Sequence, residues 1–344
     1  MDPSLHPLAD YEELYCIGNG TYGKVSKMRR RSDNRIFAVK EVDYGRMSEK
    51  EKELLVSEVN ILRNLHHPHI VQYYDRIIDR RNTKIYIVME YCEGGDLAGL
   101  IKRCNKERTH ITEPVIWKIL SQLVSALHTC HTNKSGSIVH RDIKPGNIFL
   151  DVDKFVKIGD FGLARILGEY SVAQTSVGTP LYMSPEQVQG RPYTFTCDIW
   201  ALGCVIYELC ALVPPFTATT VPGLHRVIMN GHYAPVSSKY SSTLRHLIAQ
   251  MLTLDPNSRA TIQVLYDNPE IRLLRREVHL SRAYIKHSQK DEELVNREKA
   301  LEQAKERAED ALRHIESLVN NYMLDSSTRE MLLATSRSLR RVFE

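Results

Sequence analysis

Two short polar segments in the middle of the chain carry residues whose types and spacing could do chemistry. The segment HRDIKPGN contains Asp142, Lys144 and Asn147, and the segment DFG begins with Asp160, thirteen residues after Asn147. Phosphoryl transfer is catalysed mostly by positioning and by cations that stabilise charge, so it needs carboxylates, an amide and an ammonium group of this kind. One loop aspartate alone is usually a turn former. The combination favours a phosphoryl-transfer site.

A glycine-rich segment near the N-terminus could hold phosphate groups. Gly18, Gly20 and Gly23 form a G-x-G-x-x-G pattern, whose missing side chains let backbone amides approach a phosphate closely. A dinucleotide-binding fold would open a helix directly after these glycines, whereas the following residues alternate like a β-hairpin. A P-loop would need a hydroxyl residue after Lys24, where the sequence has Val25. Both alternatives are therefore disfavoured.

Lys40 is a candidate phosphate ligand because it lies between apolar residues of a predicted strand, Ala38-Val39 on one side and Val42 on the other. A lysine on a strand is usually a solvated edge charge, but one that points inward needs an anionic partner. Glu58, 18 positions further along on a predicted helix, and a nucleotide phosphate could each supply that partner.

The elements that must position these residues fall into two parts. Residues 11–91 alternate short β-rich runs with turns around one helical stretch, 48–64, which predicts an antiparallel sheet with one packed helix. From about 95 to 275 the pattern is mainly helical, with Thr112 as the N-cap of the first clear helix. Short apolar runs between 138 and 165 interrupt it around the polar segments, so the site is predicted among buried strands.

The tail, residues 276–344, has a different composition. Lys286–Glu316 carries 16 charged residues in 31 positions without Gly or Pro, which predicts a long helix. Apolar residues recur along it at heptad spacing, as Leu294, Leu301, Ala308, Ile315 and Tyr322, with Ala304, Ala311 and Leu318 three positions further on. This seam predicts a dimeric coiled coil over 291–323. The alternative is a single amphipathic helix lying on the globular body.

Composition excludes several classes of protein. With 344 residues, 42% apolar and 26% charged, the chain should form a sizeable core without disulfides. The net charge of +4 is dispersed, so we expect no nucleic-acid partner and no membrane-binding surface. Seven scattered cysteines without a C-x-x-C pair suggest a reducing compartment. The longest apolar run is too short to span a bilayer, and a soluble, cytoplasmic protein is expected.

Over residues 11–271 these motifs resemble those of eukaryotic protein kinases. The resemblance implies an α+β, two-lobed kinase fold, with a small β-rich N-lobe that has one main helix and a larger α-helical C-lobe. The implied organisation is an N-terminal extension at 1–10, an N-lobe at 11–91, a C-lobe at 92–271 and a helical coiled-coil tail at 276–344. Glu186 in the segment SPE and Arg259 match two residues that pair in this family, which predicts a buried Arg259–Glu186 ion pair.

Longer segments, among them EVDYGRMSEKEKELLVSEVNIL and VGTPLYMSPEQ, look like those of the NIMA-related mitotic kinases, especially the centrosomal branch. This implies a serine/threonine kinase of protein substrates in mitotic and centrosome-cycle control, located at the centrosome or cytoskeleton and also in the nucleus. A coiled-coil homodimer would promote trans-autophosphorylation. A catalytically silent scaffold is the alternative, but such proteins lose Lys40, Asp142 or Asp160, and all three are present.

The kinase resemblance also implies roles for individual residues, with ATP and Mg²⁺ as the cofactors. Asp142 would orient the substrate hydroxyl, Lys144 would neutralise the transferred group, and Lys40, oriented by Glu58, would hold phosphates. Asn147 and Asp160 would bind Mg²⁺. The ATP-binding residues would be Ile17, Gly18, Gly20, Gly23, Val25, Ala38, Lys40, Met89 and Phe149, with the backbone of Glu90 and Cys92 at the adenine edge.

Three residues are predicted to regulate activity. Thr175 is the expected phosphorylation site of the activation segment, where a phosphate could pair with Arg141. Thr179 is expected to belong to the substrate-hydroxyl site. Tyr73 matches a position from which some relatives swing a tyrosine inward to separate Lys40 from Glu58, and the alternative is a tyrosine of the strand core.

Overall fold

The first part of the chain forms a five-stranded antiparallel sheet in a computed structural model that describes residues 7–20, 23–45, 47–133, 137–160, 180–192, 194–321 and 326–343. The strands are β1 (Tyr11–Gly20), β2 (Gly23–Arg30), β3 (Ile36–Asp43), β4 (Tyr73–Asp79) and β5 (Lys84–Glu90). They lie in the order β1–β2–β3–β5–β4. The β-branched and aromatic residues of β3 and β5 suit these central positions. The predicted antiparallel sheet is confirmed.

One helix, α1 (Glu49–Arg63), packs beside this sheet and contacts β4. Its buried residues Leu55, Val59 and Leu62 recur at helical spacing and so form one apolar face. They belong to the same hydrophobic core as Ile85 and Ile87 of β5. The predicted helix over 48–64 is therefore confirmed, and it differs from the observed one by a single residue at each end.

Glycine is required where β2 begins. Gly23 has φ = +141°, a backbone conformation that side-chain-bearing residues rarely adopt. A Cβ atom placed there would also collide with the carbonyl oxygen of Glu41. The third glycine of the glycine-rich segment thus allows the β1–β2 hairpin to lie closely over β3.

The second part of the chain is mainly helical. Its helices are α2 (Leu97–Glu107), α3 (Glu113–His131), α4 (Pro185–Val188), α5 (Thr196–Ala211), α6 (Val221–Asn230), α7 (Ser242–Met251) and α8 (Ile262–Asp267). Every residue of α5 between Cys197 and Cys210 is buried, as expected of a helix that is apolar on all sides. Thr112 is the N-cap residue of α3, as predicted, although its side chain makes no capping hydrogen bond.

A short hairpin lies where the two parts meet. It consists of a 3₁₀ turn (Pro145–Asn147), β6 (Ile148–Leu150) and β7 (Val156–Ile158). Leu150 accepts a backbone hydrogen bond of 2.8 Å from Gly94 and donates one of 2.8 Å to Gly95. Ile158 donates to His69 and accepts from Val71, both at 2.9 Å. These bonds fix the hairpin to the first part of the chain through Ile158 and to the connection after β5 through Leu150.

The chain divides into two compact units, residues 1–276 and 277–344. Helix α9 (Pro269–Asn321) continues from the first unit into the second, and α10 (Ser326–Phe343) follows it. The predicted helical tail is therefore confirmed. No helix in the described parts of the chain is both long and apolar enough to cross a membrane.

Within the second unit, α10 packs back on the end of α9. The Ser336 hydroxyl donates to Glu316 Oε1 at 2.7 Å, and Leu312 and Val319 are buried. The predicted heptad residues behave differently, because Leu294 and Leu301 are 47% and 73% exposed. These two leucines of the predicted seam are therefore exposed. The coiled coil itself stays a prediction.

Candidate active site

The predicted catalytic aspartate lies at the centre of a small hydrogen-bonded cluster. Asp142 Oδ2 accepts from Lys144 Nζ at 2.7 Å and from Asn147 Nδ2 at 2.8 Å. Asn147 Nδ2 also donates to the main-chain carbonyl of Asp142 at 2.8 Å. The Asp142 side chain is 34% exposed, so it can still reach a ligand from solvent. The structure thus brings together the three polar residues that the sequence placed within six positions.

A buried carboxylate on α5 organises the loop that carries this cluster. Asp198 accepts from the backbone N–H groups of His140 and Arg141, both at 2.8 Å, and from His131 Nε2 at 2.9 Å. Burial raises the pKa of Asp198, but its hydrogen bonds and the two neighbouring histidines together outweigh burial, so the pKa lies below its usual value. Arg141 has φ = +71°, an uncommon conformation for a non-glycine residue, and Asp198 helps to hold it.

The structure also shows how His140 connects the two polar segments. Its Nε2 lies 3.0 Å from the Gly159 carbonyl and must donate, whereas its Nδ1 accepts from the Asp142 N–H at 3.3 Å. These partners identify the neutral tautomer protonated on Nε2. Burial lowers the pKa of His140, which keeps the ring neutral. The histidine therefore links the loop of Asp142 to the residue before Asp160.

Lys40 and Asp160 form an ion pair across the interface between the two parts of the chain. The distance from Lys40 Nζ to Asp160 Oδ1 is 2.6 Å, and Lys40 is 8% exposed. Asp160 has φ = +56°, so the backbone turns sharply to present its carboxylate there. Lys40 thus has an anionic partner, as a buried lysine requires. The partner predicted from the sequence was Glu58, whose side chain the structure does not describe.

Asp160 and Asn147 each offer a side-chain oxygen that a hard cation could use. The Gly159 N–H donates to the Asn147 carbonyl at 3.0 Å, so the backbone holds Asn147 beside the segment that leads into Asp160. Because Asn147 Nδ2 donates to Asp142, its Oδ1 is directed elsewhere. Mg²⁺ is commonly held by one or two carboxylates together with substrate phosphates. The donor chemistry therefore fits a magnesium–nucleotide complex.

The predicted adenine-binding residues come from five strands, β1, β2, β3, β5 and β6. Val25 pairs with Lys40, and Ala38 pairs with Met89. Phe149, on β6, is half-buried. Ile17, on β1, is 43% exposed, and Gly18 has open space around it. Gly20 is the last residue of β1, and the structure does not describe its surroundings.

The connection after β5 supplies the predicted polar edge for adenine. The Glu90 N–H donates to the Gln72 carbonyl at 2.9 Å. Among the described residues, the backbone of Cys92 makes no hydrogen bond, so its N–H and carbonyl could serve a ligand. Burial, together with the nearby Glu90 carboxylate, raises the pKa of the Cys92 thiol to about 12, so the thiol stays protonated.

The predicted regulatory residues have different positions. Tyr73 begins β4, is 2% exposed and packs in the hydrophobic core, which is the position that the strand-core alternative describes. Thr175 and Thr179 lie outside the described residues.

The predicted Arg259–Glu186 pair is confirmed. Arg259 Nη1 donates to Glu186 Oε1 at 2.7 Å and Nη2 donates to Oε2 at 3.0 Å, and both side chains are buried. Arg259 also donates to the carbonyls of Thr196, Thr253 and Leu254. Burial raises the pKa of Glu186, but the guanidinium outweighs it, and the net shift is downward. The pair fixes α4 to the part of the chain that carries Arg259.

Sequence reasoning missed two polar residues that this geometry uses. Asp198 is not among the site residues predicted from the sequence, and its hydrogen bonds to His140 and His131 depend on a fold that brings residues 58 and 67 positions apart into contact. Lys157, on β7, was not singled out, yet its Nζ lies 3.0 Å from Glu90 Oε1. The available signal was the same in both cases, a charged residue inside an apolar run.

Known proteins resemble this chain over most of its length. Residues 11–270 match the protein kinase domain family. The chain is 52% identical over 265 residues to the serine/threonine-protein kinase Nek2 of Homo sapiens, covering 76% of this chain and 60% of that protein. It is 50% identical over 284 residues to the probable serine/threonine-protein kinase nek2 of Dictyostelium discoideum, covering 83% and 68%. It is 41% identical over 335 residues to the G2-specific protein kinase nimA of Emericella nidulans, covering 90% and 48%.

Proposed function

Because the chain belongs to the protein kinase family and is a serine/threonine kinase of the NIMA-related group, we propose that Asp142 orients the hydroxyl of the protein substrate during transfer of the ATP γ-phosphate. The observation that carries this assignment is the Asp142–Lys144–Asn147 cluster. Lys144 and Asn147 both bind Oδ2, so Oδ1 can accept the proton of a serine or threonine hydroxyl.

Lys144 has a second role in this proposal. Its ammonium group lies 2.7 Å from the Asp142 carboxylate, which places a positive charge beside the reacting hydroxyl. Charge on the transferred phosphoryl group spreads over its outer oxygens, and a nearby cation stabilises it. Lys144 therefore neutralises the phosphoryl group while Asp142 orients the nucleophile.

Lys40, Asp160 and Asn147 hold the nucleotide phosphates and their metal ion. Mg²⁺, when bound, supplies charge neutralisation to the phosphates, and Asp160 and Asn147 are the residues that would hold it. Lys40 would bind the α- and β-phosphates, with Glu58 as its orienting partner. The 2.6 Å contact between Lys40 and Asp160 supports this, because both groups already face one region.

The adenine would lie between the strands of the first part and the β6–β7 hairpin. Ile17, Val25 and Ala38 would cover one face, and Met89 and Phe149 would complete the apolar surroundings. The Glu90 carbonyl and the Cys92 backbone would bind its polar edge. The glycines Gly18, Gly20 and Gly23 would let the β1–β2 hairpin approach the phosphates. A catalytically silent scaffold is not favoured, since Lys40, Asp142 and Asp160 are all retained.

The test is transfer of labelled γ-phosphate from Mg·ATP to a serine-containing protein substrate. Asp142→Asn removes the proton acceptor but keeps the shape, and we expect activity to fall by roughly 10²–10⁴-fold, the usual contribution of general acid–base groups. Asp153→Asn, the same substitution at an exposed residue of the β6–β7 turn, should leave activity unchanged. Full activity of Asp142→Asn would refute the assignment.

The cellular role proposed here is control of the mitotic and centrosome cycle, with the centrosome or cytoskeleton as the location. It is supported by the similarity to a relative named as G2-specific, nimA of Emericella nidulans. The protein substrates would be phosphorylated on serine or threonine. A homodimer formed through the tail would let one protomer phosphorylate Thr175 of its partner, with Thr179 contributing to the hydroxyl site.

A further inference from the structure

A buried lysine on β7 has no role in the proposed chemistry, although it lies beside the nucleotide site. Lys157 is flanked by the fully buried residues Val156 and Ile158, and only 8% of its side chain is exposed. Its Nζ lies 3.0 Å from Oε1 of Glu90, the last residue of β5. A buried ammonium group needs an anionic partner, so this ion pair constrains both strands.

The carboxylate of Glu90 is held on both sides. Its Oε1 binds Lys157, and its Oε2 accepts from the Gln72 N–H at 3.2 Å. The Glu90 N–H in turn donates to the Gln72 carbonyl at 2.9 Å. Main chain and side chain of Glu90 are therefore both fixed, at the residue whose carbonyl would bind adenine.

Lys157 is also connected to the phosphate end of the site, through the strand on which it lies. Lys157 is on β7, and Asp160 follows three residues later, just after the strand ends. Across the β6–β7 hairpin it pairs with Phe149, a predicted adenine contact. The next residue, Ile158, exchanges backbone hydrogen bonds with the 69–71 segment, so β7 cannot shift along its axis without breaking them. One ion pair thus joins the adenine edge to the strand that delivers the metal ligand.

We propose that Lys157 is a positioning residue for ATP, which acts through Glu90 to set the distance between the adenine-binding connection and Asp160. This inference rests on the nucleotide site proposed above. Adenine and phosphates belong to one rigidly connected ligand, so a shift of one end of the site relative to the other weakens nucleotide binding. Binding of the protein substrate, which does not depend on this distance, is unaffected.

The test compares two variants. Lys157→Met removes the positive charge but keeps a side chain of similar length, and Lys157→Arg keeps the charge. In the full chain, calorimetry with Mg·ADP measures nucleotide affinity without turnover, and initial rates give KM for ATP and for a peptide substrate. We expect Lys157→Met to weaken ADP binding and to raise KM for ATP, each roughly 10-fold. This is the low end of the loss in affinity when a residue that orients a binding group is replaced. The peptide KM should stay constant, and Lys157→Arg should restore most of the affinity.

Lys154→Met is the matched control, because Lys154 is an exposed residue of the turn in the same hairpin. It should match wild type in both measurements. Should Lys157→Met fail to fold, Glu90→Gln decides the question, since it keeps the shape and removes the charge of the partner. In the double variant, adding Glu90→Gln to Lys157→Met should cause no further loss of ADP affinity.

Wild-type ADP affinity in folded Lys157→Met or Glu90→Gln would overturn the positioning role. So would an equal rise of both KM values, which indicates general destabilisation of the site. These results are distinct from failure of the proposed function, which would appear as full activity of Asp142→Asn. The positioning role can therefore be rejected while the kinase assignment stands.

Discussion

The pKa values of two buried carboxyl groups in this protein differ according to the hydrogen-bond donors around them. Asp198 accepts hydrogen bonds from His131 and from the N–H groups of His140 and Arg141, and the pKa of its carboxyl lies below the usual value despite complete burial. Glu208, also on α5, accepts one hydrogen bond, from the Tyr182 hydroxyl at 2.7 Å. There burial dominates and raises the pKa of Glu208 above its usual value. The first residue stabilises the fold in its ionised form, whereas the second does so best when protonated.

This difference predicts a pH dependence for Glu208→Gln. The folded state holds the Glu208 proton more tightly than the unfolded state, so the stability it contributes is complete below the unfolded pKa, near 4.3, and is lost as the pH rises through the folded pKa. Glutamine does not ionise. We expect Glu208→Gln to gain free energy of unfolding relative to wild type as the pH rises from about 4.3 toward neutrality.

Denaturant unfolding at several pH values measures this difference. Glu107→Gln, at an exposed position at the end of α2, serves as the control and should show no comparable pH trend. A Glu208→Gln difference that stays constant from pH 4 to pH 7, or that decreases, would show that burial does not control this carboxyl.

At the scale of elements, Arg259 joins several segments of the helical part. It binds Glu186 of α4 through two hydrogen bonds and also donates to carbonyls at the start of α5 and after α7. The fork of a guanidinium group matches a carboxylate at both oxygens, which a lysine could not do. The segment that begins with α4 is thereby fixed beside the catalytic part of the chain.

Arg259→Leu should therefore destabilise the protein strongly. The substitution leaves the Glu186 carboxylate buried without its partner, and loss of one member of such a pair typically costs about 3–5 kcal/mol. Arg245→Leu, at an exposed position on α7, should change the free energy of unfolding by no more than about 0.5 kcal/mol. Chemical denaturation compares the two, and equal small effects would contradict a structural role for the pair.

At the scale of the whole molecule, the tail carries apolar residues that its own chain leaves exposed. Leu294 and Leu301 lie on the heptad stripe of α9, whereas α10 packs near the buried residues Leu312 and Val319. Exposed leucines at seven-residue spacing are what a second helix would cover in a dimer. In the described part of the tail, α10 contacts α9 at Glu316, which is not a seam position, and Leu294 and Leu301 remain exposed.

A dimer of the full chain is therefore expected, with a mass twice the 39.5 kDa of one chain. Leu294→Glu combined with Leu301→Glu should yield monomers, because it places charges at the centre of the seam. Val264→Glu, at an exposed apolar residue of α8, should leave the dimer intact. Light scattering after size-exclusion chromatography measures these masses. A monomeric wild-type chain would refute the dimer and, with it, tail-driven trans-autophosphorylation.

The sequence by itself determined the architecture and the inventory of catalytic groups. Short β-rich runs separated by turns predicted the sheet, a helical period predicted α1, and the spacing of Asp142, Asn147 and Asp160 indicated phosphoryl transfer. Such local patterns are readable because neighbours along the chain stay neighbours in a strand, helix or loop. The long helical tail was readable for the same reason.

Only the tertiary structure decided which distant charges meet. That Asp198 holds the catalytic loop, that Lys40 pairs with Asp160 and that Lys157 reaches Glu90 follow from packing between elements separated by many residues. Burial removes the water that would otherwise solvate each of these groups, so each must find a partner, and the fold determines which partner lies within reach.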